Sequence, residues 1–200
     1  MEYGIAIPLG ALKVKSHLRS IIDDQNNELT TSSRELMQEL YDELVEVEAR
    51  LKKLEKKIKH ICKENDQCRR ILNIPGVGEL TATAIIAAVP NANEFKNGRH
   101  MSAWLGLIPR QSSSGNKQVL LGISKRGDRY LRTLLIHGAR SALCRCKNTN
   151  SKYGEWLTNK KASLSLNKAA VALANKNTRI IWALLKTGKE FDCNQEMVAA

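Results

Sequence analysis

Three consecutive serines and a glycine, Ser112, Ser113, Ser114 and Gly115, stand in the segment PRQSSSGNKQVLLGISKRGDRYLR, residues 109–132. Arg110, Lys117, Lys125, Arg126, Arg129 and Arg132 flank them on both sides. A serine hydroxyl is a weak nucleophile by itself. Cations around it would hold a phosphodiester and stabilise the charge that develops when phosphorus is attacked. The residue types therefore suit serine attack on a nucleic-acid backbone. The plainer reading is a Ser/Gly turn leading into a basic helix, and the segment alone leaves both open.

The distribution of charge favours a polyanionic partner. Residues 1–70 carry 13 basic and 13 acidic side chains, whereas residues 71–189 carry 19 basic residues against Glu79, Glu94, Asp128 and Glu155. An excess this concentrated fits nucleic acid better than a merely soluble basic surface. The apolar content is 42% with only 4% aromatics, and Leu, Ile and Ala carry it, which favours helices over a sandwich or barrel. No apolar run is long enough to span a bilayer, and the start MEYGIAIPLG lacks the basic lead-in of a secretory signal. Cysteines 62, 68, 144, 146 and 193 form no CxxC pair, so they are expected to be free thiols in a reducing cytoplasm.

The elements that must position the serine segment begin with a short helix expected over residues 12–22. From about Ser32, Met37, Leu40, Leu44, Val47, Leu51, Leu54, Ile58 and Ile61 recur at alternating spacings of 3 and 4, a coiled-coil pattern capped by Ser32 or Ser33. Acids (Glu35, Glu39, Asp42, Glu43, Glu46, Glu48) fill its first half, and Arg50, Lys52, Lys53, Lys56, Lys57, Lys59 and Lys63 its second. That polarity predicts antiparallel pairing, either between subunits or with another helix.

Next, RRILNIPGVGELTATAIIAAV, residues 69–89, reads as two apolar helices joined at Pro75, Gly76, Val77 and Gly78. It resembles a helix-hairpin-helix module, in which backbone amides at a helix N-terminus hold a phosphate. Glu79 is an objection to a phosphate there, and an ordinary αα-turn is the alternative. Residues 91–98 read as a loop and 101–107 as a short helix packing Trp104 and Leu105. Val119, Leu120 and Leu121 read as a short strand. Asp128 is the expected N-cap of a helix that buries Leu131, Leu134, Leu135, Gly138 and Ala142 and turns Arg129, Arg132, Arg140 and Lys147 outward. A long apolar helix over 164–186, bent near 175–177, ends at Gly188. An acidic tail over 189–200 is expected to be disordered.

In order, the coil, IPGVG, WLGLIPRQSSSGNK, GISKRGDRYLRTLLIHGARSAL and KAAVALANK together resemble the C-terminal half of bacterial insertion-sequence transposases of the one-ten/eleven-eleven family. The resemblance extends over most of residues 1–188 and is most specific over 71–143. The family's serine motif, Pro followed by four residues and then Ser-Gly, falls on Pro109, Ser114 and Gly115. It implies that Ser114 attacks the DNA backbone and forms a phosphoserine link. It also implies DNA partners (element ends and target), a structured guide RNA, and a nucleoid-associated cytoplasmic protein. Family members carry an upstream RuvC-like domain whose Asp-Glu-Asp-Asp set binds magnesium. Residues 1–31 supply no such constellation, so the chain is expected to hold no cofactor and to be a truncated, internally started or split product.

The resulting expectation is a mainly α chain. Residues 1–31 form a linker remnant, 32–68 a coil that makes a homo-oligomer, 69–188 a DNA-binding serine domain with a helix-hairpin-helix and a Ser/Gly loop, and 189–200 the tail. Ser114 is the expected nucleophile, inactive alone. Gly76, Val77, Gly78, Arg110, Lys117, Lys125, Arg126, Arg129, Arg132 and Arg140 are expected to contact DNA. The alternative is a non-catalytic DNA- or RNA-binding remnant that dimerises through the coil. A serine hydrolase is disfavoured, because no GxSxG is present and His100 and His137 lack an acid partner; His137 is expected to be a packing histidine.

Overall fold

The computed structural model describes residues 4–114, 117–145 and 150–194. Among them are eight α-helices and one two-stranded sheet, a mainly α chain as composition indicates. The chain divides into two compact units, residues 1–57 and 58–200. Among the described residues, no helix is long and apolar enough to cross a membrane.

The first unit is a helical hairpin. α1 (Ala11–Asp23) runs antiparallel to the part of α2 (Thr31–Glu64) that lies in this unit. The Arg34 guanidinium donates to the carbonyls of Ile21 and Asp24 at 3.3 and 2.8 Å and to Asn27 Oδ1 at 2.7 Å. It thereby satisfies acceptors that the last turn of α1 leaves unpaired. Lys15 pairs with Glu48 and holds its carboxyl below the ordinary range. Thr30, rather than Ser32 or Ser33, caps α2, its Oγ1 accepting from the Ser33 amide at 3.2 Å.

Arg34, Gln38, Tyr41 and Glu48 meet α1. The apolar stripe Leu36, Leu40, Val47, Leu51 and Leu54 lies about 120° around the helix from them, at about 100° per residue. These five side chains remain 50–57% exposed.

The second unit is built around α8 (Leu166–Thr187), against which α3 (Asp66–Leu72), α5 (Gly98–Trp104), α6 (Arg129–Arg145) and α7 (Lys152–Ser163) pack. Its Ala169, Ala170, Leu173, Ala174, Ile181 and Leu184 are completely buried, and the small alanines allow close helix approach. α8 is one continuous helix through residues 175–177, the place of the expected bend. Its asparagines instead serve as tertiary hydrogen-bond centres. Asn175 donates to the Leu107 carbonyl at 3.1 Å; buried Asn177 donates to the Pro75 carbonyl at 2.9 Å and accepts from the Tyr153 hydroxyl at 2.8 Å. Gly188, with φ 68°, terminates α8 as its composition predicts.

α3 and α4 (Glu79–Ala88) form the predicted pair of helices around the IPGVG turn. A 3-10 turn, Ala92–Glu94, occupies the expected loop before α5. Trp104 and Leu105 both pack as expected: Leu105 is buried, and Trp104, though 39% exposed, sets its ring 5.4 Å from that of buried Phe95. α7 has no counterpart in the sequence reading. The tail differs as well: Glu190 faces Arg70 at 3.7 Å, Phe191 meets the Tyr153 ring edge-on at 5.5 Å, and the Cys193 carbonyl accepts from the Tyr153 amide at 3.0 Å. Residues 189–194 are therefore docked; 195–200 lie outside the described residues.

Candidate functional site

The serines occupy a strand. β1 (Pro109–Ser114) pairs antiparallel with β2 (Lys117–Ile123), a longer strand than the one expected at 119–121. The register sets Pro109 opposite Ile123, Ser112 opposite Val119 and Ser114 opposite Lys117, with an irregularity between Pro109 and Gln111. Gly115 of the serine motif, like Asn116, lies outside the described residues. The serines of the expected Ser/Gly loop are thus strand residues, with Ser114 at the end of β1 farther from Pro109.

At the hairpin's base, the Ser124 amide donates to the Ile108 carbonyl at 2.8 Å and the Lys125 amide to the Gly106 carbonyl at 3.1 Å. Close backbone contact fixes the junction further. A Cβ on Gly106 or Gly127, both at positive φ, would lie 2.1 Å from Arg126 O or 1.8 Å from Trp104 O, respectively. Only glycine fits at either position.

This geometry separates cations that the sequence groups together. Five residue steps of strand separate Pro109 from Ser114, about 16 Å at about 3.3 Å per residue. Lys117 is opposite Ser114 in register, and exposed Arg110 lies near the base of β1. Exposed Lys125, Arg126 and Arg129 follow the base of β2. They surround the foot of the hairpin, not the backbone at Ser114.

Arg132 has a different role from the one expected. Its side chain is buried, and Nη1 donates to the carbonyls of Leu105 at 3.1 Å and of Gly127 and Asp128 at 3.4 Å. It ties the end of α5 to the start of α6. The helix explains this: α6 buries Leu131, Arg132, Leu135, Ala139 and Leu143, so its inner face is rotated toward Arg132 from the stripe expected. Arg140 is half-buried; Nη2 donates to Asn167 Oδ1 at 2.8 Å, and Nε has no hydrogen-bond partner among the described residues. Asp128 is the N-cap predicted, its Oδ1 accepting from the Leu131 amide at 2.8 Å. His137 is exposed, contrary to the packing role expected, because it lies opposite the Leu135 face. Lys147 lies outside the described residues.

The IPGVG turn meets α6 in a close backbone contact. A Cβ on Gly138 would lie 1.9 Å from Gly76 O, and one on Gly76 would lie 2.7 Å from Gly138 O. Beside this contact is an open cleft of about 480 Å³, lined by Pro75, Gly76, Val77, Gly78, Gly138, Ser141, Ala142 and Arg145. Val77 is buried and its amide donates to Ile74 O at 3.0 Å, so that N–H is already used. Gly78 begins α4 with no side-chain cap. The first-turn amides of α4 therefore retain donors that a helix cannot satisfy internally. Ser141 and Arg145, both exposed on α6, add a hydroxyl and a cation to the same cleft. Sequence reading missed both. The signal available was their position three and seven residues beyond Gly138, on one side of a helix whose glycine invites close approach.

Among the described residues, no three His, Cys, Asp or Glu side chains converge as a metal site requires. Cys62 and Cys68 are buried next to each other, and burial first, then the neighbouring thiol, pushes Cys62 up to about 11.

The hairpin, the serine strand and α6 form one continuous segment, and a family model described as "Transposase IS116/IS110/IS902 family" matches residues 68–155, which include all three. The chain belongs to this transposase family. The transposase for insertion sequence element IS1111A of Coxiella burnetii is 44% identical over 192 residues, covering 96% of this chain and 53% of the relative. The transposase for insertion sequence element IS1328 of Yersinia enterocolitica is 31% identical over 191 residues, covering 96% and 56%. The chain thus spans about half the length of these curated transposases.

Proposed function

We propose that this transposase chain binds the backbone of insertion-sequence DNA and supplies a serine nucleophile for strand cleavage and rejoining. The observation that carries the reading is the cleft beside the Gly76–Gly138 contact. Gly78, the N-cap residue of α4, lines one open space there together with Ser141 and Arg145, and the amides of the uncapped helix start, a hydroxyl and a guanidinium make a donor set suited to a phosphodiester. Such contacts read no base sequence, so they would hold duplex DNA while another part of the assembly selects the site. Exposed Glu79, beside these amides, opposes an anion, and Arg145 offsets it.

Ser114 is the nucleophile in this reading, supported by the Pro109, Ser114 and Gly115 motif within the matched domain. Its oxygen would bond to phosphorus as the bond from phosphorus to a deoxyribose oxygen breaks. The serine proton goes to solvent, and the departing deoxyribose oxygen takes a proton from solvent to leave as a hydroxyl. Attack by a strand hydroxyl on the phosphoserine reverses the step and joins DNA. Lys117, opposite in register, is the nearest of the proposed phosphate contacts along the strands; Arg110, Lys125, Arg126 and Arg129 would follow the backbone at the foot of the hairpin. A guide RNA belongs to the same reading, as does pairing of two copies through the exposed α2 stripe. Polarised charge makes that pairing antiparallel, so single cysteines placed at positions 37 and 61 should cross-link to each other. Products linking only like positions would exclude it.

The test uses suicide DNA substrates bearing element ends, the chain and its Ser114→Ala variant, each with and without the remaining half of an IS1111-type relative and RNA. A covalent adduct that requires Ser114 is expected; adducts that persist in the alanine variant would remove the assignment. The placement of Ser114 at the opposite end of β1 from the strand base, where Arg110, Lys125 and Arg126 stand, favours a second reading, a non-catalytic DNA-occupying module. DNA binding without adducts under every condition selects that module.

A further inference from the structure

A second collection of cations lies away from both the cleft and the serine strand, where α5, α7 and α8 meet. Lys176 Nζ sits 4.2 Å from the centre of the Trp156 ring, and Lys160 Nζ lies 5.8 Å from the same ring. Lys176 is also 5.5 Å from the Tyr153 ring. The rings are attractive platforms for ammonium groups, but they place two like charges together. Arg179 comes next. A Cβ on buried Gly98 would lie 2.9 Å from Arg179 Cα, so α5 is seated on this part of α8 and brings exposed Arg99 alongside. Burial, then Arg179 and Lys160, hold the Lys176 ammonium below its ordinary range; burial, then Arg99, lowers Arg179.

Opposing acids are scarce. α5 and α8 contain none, and α7 contains only Glu155. Lys160, Lys176 and Arg99 make no ion pair among the described residues. Along α8, Lys168, Arg179 and Lys186 fall within about 20° of one another at about 100° per residue. They span 18 residues, about 27 Å, or about eight base-pair steps of duplex. A fold that gathers like charges on aromatic rings with few acids, Glu155 on α7 and Glu94 on the 3-10 turn, leaves much of their repulsion for an external anion to relieve.

We propose that Arg99, Lys160, Lys176 and Arg179, extended by Lys168 and Lys186, form a second contact surface for the phosphate backbone of duplex DNA. The inference rests on the DNA-binding reading and assigns it a surface that the hairpin and the serine strand do not include. DNA is the occupant because the chain belongs to a transposase family, and a duplex presents phosphates along a straight edge matching the stripe. Two separated surfaces would let one domain hold two stretches of duplex, or one bent stretch.

The experiment measures binding of the full chain to a 20-bp DNA duplex by fluorescence anisotropy from about 0.05 to 0.4 M salt, with an RNA duplex in parallel. Lys176→Gln with Arg179→Gln removes the centre of the patch. Arg99→Gln with Lys160→Gln removes its rim and keeps the test intact if the central pair disturbs folding, checked by thermal melting. Each pair should lower the slope of log K against log salt by about 1.8, which amounts to about 60-fold weaker binding at 0.1 M salt. Folded variants with unchanged slope and affinity would overturn the inference, while loss caused by Gly78→Asp preserves the hairpin reading. Loss confined to the RNA duplex overturns it in favour of an RNA surface. No DNA binding by the unaltered chain overturns both readings.

Discussion

Gly138→Ala tests whether backbone contact, rather than helix propensity, governs the seating of the IPGVG turn. By propensity alone the substitution should stabilise the middle of α6 by about 1 kcal/mol. Tertiary geometry predicts the opposite. The new methyl would sit 1.9 Å from the Gly76 oxygen and 3.0 Å from the Gly76 carbonyl carbon. Relaxing to an ordinary C···O separation of about 3.3 Å requires the two backbones to part by about 1.4 Å. Neither partner is a side chain that can rotate away, so the strain belongs near the upper end of the about 1–3 kcal/mol range for overpacking. The net expectation is a loss of about 1–2 kcal/mol, lowering Tm by about 2–8 °C for a chain of this size. Displacing the turn also separates the α4 amides from Arg145, so affinity for duplex DNA should fall in the same variant. Thermal melting followed by circular dichroism and anisotropy with labelled duplex measure the two effects. Gly122→Ala is the control, since a Cβ there meets nothing within 4 Å. A Gly138→Ala protein that melts higher than the unaltered chain and binds DNA equally would refute the reasoning.

Three further outcomes are expected. Gly78→Ser should supply the cap α4 lacks, raising stability by a few tenths of a kcal/mol (about 0.3) while weakening DNA binding, because the new hydroxyl occupies an amide meant for phosphate. Arg132→Met should cost about 2–3 kcal/mol by leaving three carbonyls without their charged donor, yet keep the salt slope of DNA binding; Arg129→Gln should do the reverse, lowering the slope by about 0.9 with little change in Tm. Burial holds Cys62 protonated up to about 11. A folded-state pKa above the unfolded value of 9.0 gives stability fully present below pH 9, lost as pH rises toward 11. Urea midpoints measured from pH 7 to 10.5 should show that decline, and Cys62→Ala should flatten it; equal slopes in the two proteins would contradict the burial.

Features governed by neighbours along the chain were legible in the sequence. The break at Pro75 and Gly76, the Asp128 cap and the Gly188 terminus each depend on residues a turn or less away. Errors arose where local preference and packing disagree. Ser112, Ser113 and Ser114 have turn-like composition, but pairing with β2 draws them into a strand. Arg129 and Arg132 are one turn apart and chemically identical, yet one is exposed and the other buried, because α6 is rotated by what it packs against. Asn175 and Asn177 look like helix interrupters, but their side chains bond to residues 68 and 102 positions away. The docked tail was missed for a similar reason, since Phe191 finds an aromatic partner on α7.

The sequence by itself determined the helical class, the excess of cations after residue 70, the turn at IPGVG and a serine flanked by basic residues. Periodicity, capping and charge act over a few residues, so a linear reading captures them. Only the tertiary structure decided which cations remain available. It committed Arg132 to carbonyls, left Arg129 exposed, set Ser114 at the far end of a hairpin from Lys125 and Arg126, and placed Arg145 beside Gly78. Those relations depend on contacts such as Asn177 to Pro75 and Gly138 to Gly76, which join segments 62–102 residues apart. Spacing along one helix or strand cannot encode them, because the relative position of two elements is set by how their faces fit together.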